Sequence, residues 1–227
     1  MRLGANAAAM GSLAEQKRLD VIANNMANAN TVAFKRDETY FRDFLDQITY
    51  TVMDQGPIRE TGQTLDLAIS GNGFFKVKTD QGTLYTRAGN LTLDSNRELV
   101  TQQGWPVLGR NGPIKIQEPS TVRIEAEGQV FDKGQQVDSI EIVQFPADTP
   151  LKKLHDGLFE PTSAGADPIP AKDSTLKQGA IEGANFNMVE QMVHMVDTMR
   201  VFEAYQKSMQ VFDKDLDSQI ISRFAMT

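Results

Sequence analysis

Apolar and polar residues follow different patterns in different parts of the chain, and glycine and proline mark the boundaries. Neither residue type occurs between Gly11 and Gly56 or after Gly183, whereas all nine prolines lie between Pro57 and Pro170. Because glycine and proline interrupt regular structure more strongly than other residues do, the sequence predicts two helical arms around a middle region of different structure.

The C-terminal arm carries apolar residues at alternating steps of four and three. This spacing is that of a coiled coil, and charged residues lie beside the apolar series. The pattern therefore predicts an amphipathic helix whose apolar face contacts another helix. The residues that we assign to this contact are Met188, Met192, Met195, Met199, Phe202, Met209 and Leu216.

The N-terminal arm has a looser apolar pattern and an unusual number of asparagines. Its stretch IANNMANANT includes Asn24, Asn25, Asn28 and Asn30, although the asparagine amide competes with the backbone for hydrogen bonds in a helix. Asparagines buried between helices fix their register. One hypothesis therefore assigns these four residues, with Phe34, to contacts between subunits. The alternative is that the amides only cap the end of the helix.

Two interpretations of the arms remain open from their pattern. In the first, the arms form a helical hairpin within one chain and pack on the middle region. In the second, they pack against other subunits, because they lie at opposite ends of the chain and the N-terminal arm is rich in asparagine and alanine rather than leucine.

The middle region has the composition and spacing of β structure. Short segments rich in β-branched and aromatic residues alternate with turn signals, which favours an antiparallel sandwich or small barrel. We expect hairpin turns at 80–82 and 94–96, and an irregular loop over the proline-rich stretch 146–177. The expected core residues are Phe74, Phe75, Tyr85, Trp105, Val107, Phe131 and Phe145.

Together these patterns predict a mixed fold class. A central all-β domain lies between helical arms that pair as a coiled-coil-like layer in an assembly. The predicted segments are a helical arm over 1–45, an extended linker over 46–69, the β domain over 70–178 and a second helical arm over 179–227.

Composition excludes several classes of function. The formal net charge of −7 argues against a binder of nucleic acid or anionic membranes, since both require a basic surface. Without cysteine, the chain has no disulfide, thiolate nucleophile or zinc–thiolate site. The N-terminus is a poor match to a cleaved signal peptide. No apolar run approaches the roughly 18 residues of a membrane span.

Motifs for catalysis or metal binding are weak. Glu190, His194 and Asp197 share one helical face and have side chains that bind metals, but a solvent-facing charged stripe is the favoured interpretation. The stretch that begins at Asp213 starts like a calcium loop and lacks the glycine and glutamate that such a loop requires. We therefore expect no enzymatic activity, cofactor, metal or small-molecule substrate.

Three segments together resemble the flagellar rod and hook proteins. They are LDVIANNMANANTVAFKR, then LDLAISGNGFFKV with YTRAGNLTLDSNRELVTQQGWPVLG, and finally EGANFNMVEQMVHMVDTMRVFEAYQKSMQ, in the order of that family. One position departs from the family pattern, because Ala33 stands where the family commonly has glycine. Glycine there permits a positive φ. Ala33 thus predicts either an ordinary backbone conformation or a helix that continues to Phe34.

The resemblance implies a structural subunit of the flagellar basal-body rod, which spans the periplasm and transmits torque from motor to hook. It implies export through the flagellar type III apparatus as an unfolded chain. Its implied partners are copies of the chain and neighbouring rod proteins. It also implies that the arms form an inner coiled-coil-like layer with the β domain outside. The chain length and the stretches QGPIRETGQTLDLAI and GWPVLGRNGPI are most similar to the proximal rod type, with the distal type as the alternative.

Two other classes of function remain open. A secreted β-domain adhesin with oligomerising arms would form discrete soluble oligomers and bind a surface ligand. An enzyme with an unrecognised site would have a deep pocket with convergent polar groups in the β domain.

Overall fold

A computed structural model of the chain describes residues 2–43, 46–146, 149–162 and 167–224. The chain separates into two compact units, each built from segments that are distant in the sequence. The helical unit comprises Met1–Ala29, Arg36–Val52 and Phe186–Thr227, and the β unit comprises Asn30–Lys35 and Met53–Asn185.

In the described residues, the helical unit contains two long helices and a β-hairpin. Helix α1 spans Arg2–Ala27 and helix α2 spans Met188–Phe224. Strands β1 (Asp37–Asp43) and β2 (Asp46–Thr51) pair antiparallel. Neither of these helices, as far as they are described, contains an apolar window of the length and hydropathy needed to cross a membrane.

The first arm is helical over a shorter range than the sequence pattern predicts. Helix α1 ends at Ala27, and the hairpin occupies 37–51, where the end of the arm and the start of a linker were expected. The hairpin is rich in threonine and tyrosine, as in Thr39–Tyr40 and Thr49–Tyr50. Such β-branched and aromatic residues favour strands over helices, and their density explains the difference.

Both expectations for Ala33 were wrong, because this residue has a φ of 54°. It adopts the left-handed conformation that the family's usual glycine would adopt, at a cost of about 1–2 kcal/mol for a residue with a Cβ. Its N–H donates a hydrogen bond to the carbonyl oxygen of Glu182 at 2.8 Å, and its side chain is buried. These contacts of the β unit hold the strained backbone in place.

The β unit confirms the predicted antiparallel β domain. Its largest sheet has the order β15-β16-β6-β5-β14-β17, and β11-β12-β13 forms a second sheet. The remaining strands pair two by two, as β18-β4, β19-β3, β7-β8 and β10-β9. Among the described residues, the strands are β3 (Ile58–Glu60), β4 (Leu67–Ser70), β5 (Phe74–Thr79), β6 (Gly82–Thr86), β7 (Thr92–Leu93), β8 (Leu99–Val100), β9 (Leu108–Gly109), β10 (Gly112–Pro113), β11 (Arg123–Ile124), β12 (Gln129–Asp132), β13 (Gln135–Ser139), β14 (Ile142–Gln144), β15 (Leu151–Lys153), β16 (Leu158–Pro161), β17 (Ile169–Pro170), β18 (Thr175–Gln178) and β19 (Ala180–Glu182).

The predicted turns are present, but the long loop is not. Strands β5 and β6 are joined at 80–81, and β7 and β8 are joined by a turn that includes 94–96. The stretch 146–177 contains β15, β16, β17 and part of β18, so its assignment as an irregular loop was wrong. Pro161 ends its strand and Pro170 lies in an edge strand. These are positions where a missing N–H does not interrupt a sheet.

Aromatic residues occupy both faces of the largest sheet. Phe75 is fully buried in one core cluster, and Phe74 and Tyr85 belong to a second cluster. Trp105 is half-buried and packs against the first cluster. Phe131 is half-buried and lies outside both clusters, because its neighbours on β12 are the buried ones and side chains alternate along a strand. Val107 is buried in the first cluster, and half-buried Phe145 packs on the second.

Candidate assembly interface

Helices α1 and α2 pack against each other along an antiparallel seam. Gly4 of α1 lies against the ring of Phe212, and Gly11 lies against the ring of Tyr205. The contacts on each helix are seven residues apart, which is the repeat of a coiled coil. The two arms therefore pair within one chain.

Small residues on α1 make room for aromatic side chains on α2. A Cβ added at Gly11 would lie 2.5 Å from the Tyr205 ring, closer than van der Waals contact permits. Glycine in a helix interior costs about 1 kcal/mol relative to alanine, so close packing explains its presence. A hairpin within one chain was one of the two open interpretations, but neither Gly11 nor Tyr205 was assigned to its contact, because a search for large apolar residues passes over glycine. Leu13, which belongs to the apolar pattern of the arm, is 65% exposed.

The inward face of α2 includes four of the six members of the predicted apolar series whose side chains are described. The structure leaves Met192 and Met199 exposed, at 48% and 46%. Other residues of α2, such as the buried Thr198, take their place on the inward face of the helix. The side chain of Leu216 lies outside the described residues. The members of the predicted series that are half-buried are Met188, Met195, Phe202 and Met209.

A second apolar face of α2 stays open to solvent. We call it the outward stripe, and its members are Val189, Met192, Val193, Val196 and Met199, all exposed. Their spacing of three and four residues places them on one side of the helix. Contiguous exposed apolar surface of this kind marks sites of protein–protein contact.

The asparagines of α1 find partners within the chain. Asn25 is buried, its Nδ2 donates to the carbonyl oxygen of Asp37 at 2.8 Å, and its Oδ1 accepts from the N–H of Asp37 at 2.9 Å. Asn28 Nδ2 donates to the carbonyl oxygen of Asn24 at 2.9 Å, as a capping side chain does. Asn25 thus joins the end of α1 to the start of β1. Asn24 and Asn30 are exposed.

Phe34 is buried in the β unit rather than presented on a helix. The Nζ of Lys153 lies 3.7 Å from the centre of its ring, a distance at which a cation is attracted to the aromatic face. Phe34 therefore anchors the segment that follows α1 inside the β unit.

Sequence reasoning missed a buried ionic cluster in the β unit. Glu182 Oε1 accepts hydrogen bonds from Lys35 Nζ at 2.6 Å and from the N–H of Gly56 at 2.8 Å. Its other oxygen, Oε2, accepts from Arg87 Nε at 2.9 Å. Burial lowers the pKa of Lys35, and the attraction of Glu182 opposes that shift. One carboxylate thus balances two buried cations.

Backbone carbonyl groups complete the environment of both cations. Arg87 Nη1 donates to the carbonyl oxygens of Gly71 and Gly73 at 2.8 and 2.7 Å, and Lys35 Nζ donates to that of Asp54 at 2.7 Å. A signal for this cluster is present in the sequence. Each of the three segments that resemble the family contributes one member of the cluster: Lys35 in AFKR, Arg87 in YTRAGN and Glu182 in EGANF.

A groove of about 490 Å³ lies within the helical unit between α1, β1 and α2. Its lining includes Glu38, whose carboxylate accepts hydrogen bonds from the Tyr50 hydroxyl and from Arg36 Nε. The hydrogen bond from Tyr50, followed by the contacts with Arg36, holds the pKa of Glu38 below its ordinary value. In the same groove His194 Nε2 lies 3.9 Å from Glu190 Oε1. No group of three or more potential metal ligands occurs in the described part of the chain.

Comparison with known proteins identifies the same three regions. Residues 5–35 match the family described as Flagella basal body rod protein. Residues 68–132 match the Flagellar hook protein FlgE/F/G D1 domain, and residues 177–222 match the Flagellar basal body rod FlgEFG protein C-terminal family.

Individual relatives are similar over nearly the whole chain. FlgG of Bacillus subtilis is 31% identical over 90% of this chain and 93% of its own length. FlgF of Caulobacter vibrioides is 33% identical over 86% of each chain, and FlgF of Rhizobium meliloti is 27% identical over 97% of each. All three are flagellar basal-body rod proteins.

Paired terminal helices, an antiparallel β domain and these matches agree with one another. The chain therefore belongs to the flagellar basal-body rod family of FlgE, FlgF and FlgG, and it is a structural subunit of the basal-body rod.

Proposed function

We propose that this chain is a rod subunit of the FlgF type that polymerises helically through its terminal helices and so transmits torque from motor to hook. The observation that carries this proposal is the outward stripe on α2. It is apolar and exposed even though α2 is already paired with α1 in the same chain. A contact surface remains on the helix after the intrachain pairing is complete.

Burial of the outward stripe would contribute substantially to assembly. A fully buried valine or methionine side chain contributes about 1.5–3 kcal/mol, and these five are about half exposed in one chain. Their further burial corresponds to roughly 5 kcal/mol per subunit before association entropy is subtracted. Because the α1–α2 pair is already formed, less conformational freedom is lost on contact.

Geometry favours an open contact rather than a closed dimer. The outward stripe lies on α2, whereas the exposed face of α1 carries mostly polar and small residues, among them Asp20, Ala23 and Asn24, beside the exposed Leu13. When one surface of a subunit binds a different surface of the next, the contact repeats and builds a filament. Asn24 and Asn30 are exposed and serve in this proposal as register contacts, while Asn25 and Asn28 stabilise the subunit.

Chain length supports the FlgF type over the FlgG type. The alignment with Bacillus subtilis FlgG is 249 positions long and includes 90% of the 227 residues of this chain, about 204. About 45 positions of the alignment therefore have no counterpart in this chain. The alignment with Rhizobium meliloti FlgF is 234 positions long and includes 97% of this chain, about 220 residues, so only about 14 positions have no counterpart. The distal FlgG-type subunit is the alternative, since the identities to the two types are similar.

The proposal includes the route of the subunit and its neighbours. The subunit is delivered through the flagellar type III export apparatus, as the resemblance to rod proteins implies. Its neighbours in the rod are further copies and other rod proteins of the same family.

A deletion strain tests the proposal by swimming in soft agar and by electron microscopy of isolated basal bodies. We expect loss of swimming, with rings at the inner membrane and no completed rod or hook. A rod that stops at its base indicates the FlgF type, and a rod that lacks only its outer part indicates the FlgG type. Normal flagella in a strain without a second copy of the gene would refute the assignment.

A further inference from the structure

The β unit carries an open pocket of about 350 Å³ beside the turn between β5 and β6. Its apolar lining consists of Leu84, Leu154, Leu158 and Trp105. Leu84 and Leu158 are buried, whereas Trp105 is only half-buried. An aromatic and aliphatic surface is therefore accessible to a group that enters from outside.

The polar lining of this pocket contains two carboxylates beside Thr79, Gln81 and His155. Asp80 and Asp156 both line it and are exposed, and in the described part of the chain neither carboxylate has an ion-pair or hydrogen-bond partner. The face of a tryptophan attracts cations, and an apolar floor strengthens attraction between charges. The pocket thus suits an ammonium or guanidinium group on an aliphatic stem, whose methylenes contact the leucines.

A matching cation is presented at another place on the same unit. Arg110 lies in the tight turn between β9 and β10, and its N–H donates to the carbonyl oxygen of Ser139 at 2.9 Å. The next residue, Asn111, donates from its N–H and from Nδ2 to Asp138 Oδ1, at 3.4 and 3.1 Å. The turn is therefore fixed. The guanidinium group of Arg110 is exposed and has no partner among the described residues.

The two features do not meet within one chain. Arg110 follows Trp105 by five residues of mostly extended backbone, on the order of 15 Å, which is more than an arginine side chain spans. We infer that Arg110 of one copy inserts into the Trp105 pocket of a neighbouring copy, between Asp80 and Asp156. This contact rests on the proposed helical assembly and adds to it a direct link between β units.

The physical basis of the inference is a combination of charge complementarity and preorganisation. Two unpaired carboxylates meet one unpaired guanidinium, and hydrogen bonds already hold the turn that presents it, so little ordering is needed on contact. The donor and the pocket are different surfaces, so the contact is heterologous and repeats along a filament.

Cysteine cross-linking tests the contact without background, because the chain contains no cysteine. Arg110→Cys and Asp156→Cys are combined in one chain, and basal bodies from a swimming strain are treated with a bismaleimide about as long as an arginine side chain. We expect dimers and higher multimers of the chain on a denaturing gel. Each single variant should remain monomeric.

Lys133→Cys combined with Asp156→Cys is the matched control. Lys133 is also an exposed cation on a tight turn, but it is paired with Glu118 at 3.4 Å. Two outcomes would overturn the inference and leave the rod assignment intact. In the first, the Arg110→Cys, Asp156→Cys variant forms complete rods but gives no cross-linked multimers. In the second, the control variant cross-links equally well. Failure of the rod assignment itself appears separately, as normal flagella in the deletion strain.

Charge reversal supplies a second measurement. Arg110→Glu should remove most complete basal bodies, and Asp80→Lys in the same chain should restore them, because like charges across a contact are unfavourable and the reversed pair is attractive. No loss with Arg110→Glu alone would contradict the contact. Retention of the purified chain on cell-wall glycan, abolished by Trp105→Ala, would assign the pocket to carbohydrate and overturn the inference.

Discussion

Lys35 Nζ donates a hydrogen bond of 2.6 Å to Glu182 Oε1, and the two side chains are only 1% and 0% exposed. The residues are 147 positions apart in the sequence. Their bond joins the segment that follows α1 to the last strand before α2 inside the β unit. Since Arg87 binds the same carboxylate, loss of the acid and loss of one base have different consequences.

Glu182→Gln is expected to lower the free energy of unfolding by about 3–5 kcal/mol, because it leaves two buried cations without a counter-charge. Lys35→Met should cost less than half as much, since it leaves one buried Arg87–Glu182 pair and fills the same volume. Urea unfolding followed by the fluorescence of Trp105, the single tryptophan and part of the β unit, measures both. Equal losses for the two variants would contradict a balance in which Glu182 neutralises both Lys35 and Arg87.

Ala33→Gly should change stability by less than about 1 kcal/mol. Glycine relieves left-handed strain of about 1–2 kcal/mol. It also removes a buried methyl group and increases the conformational entropy of the unfolded chain, and together these two effects cost a similar free energy. Lys133→Gly is the control, because that residue has a φ of 51° and is exposed. It should stabilise by up to about 1 kcal/mol. The same denaturant titration reports both, and a large loss for Ala33→Gly would show that burial outweighs strain.

Gly11→Ala should destabilise the helical unit by about 1–3 kcal/mol, because the new methyl group would overlap the Tyr205 ring. In a Tyr205→Ala background the sign should reverse, and the same change should stabilise by up to about 1 kcal/mol through helix propensity alone. Thermal unfolding followed by circular dichroism of the helices measures this pair of differences. The same sign in both backgrounds would exclude close packing as the reason for glycine.

Val193→Glu should leave the free energy of unfolding within about 0.5 kcal/mol, since this side chain is 56% exposed in one chain. It should nevertheless abolish swimming, because it places a charge on the outward stripe, the surface proposed to pack against neighbouring helices. Val193→Thr preserves shape without a charge and should retain most swimming. Soft-agar diameter and unfolding of the purified chain are measured together, and normal swimming of the glutamate variant would remove the outward stripe from the interface.

The division of the chain follows from local sequence. The long stretches without glycine or proline, from Gly11 to Gly56 and after Gly183, and the three-and-four spacing in the C-terminal arm predict helices, because these features act within a few turns of backbone. The antiparallel β domain and its hairpin at 80–82 follow from strand and turn propensities in the same way. These parts of the fold needed no knowledge of distant residues.

The partners of each element were decided only by the tertiary structure. Apolar residues lie on two faces of α2, and which face turns inward depends on the size of the residues that α1 offers, with Gly11 receiving Tyr205. Asn25 had the pattern of an interface residue, but the start of β1 brings Asp37 within hydrogen-bonding distance. The pairing of Lys35 with Glu182 could not be predicted from local sequence either, because the two residues are 147 positions apart. Local propensity determines which element forms, whereas burial and charge balance depend on groups that folding alone brings together.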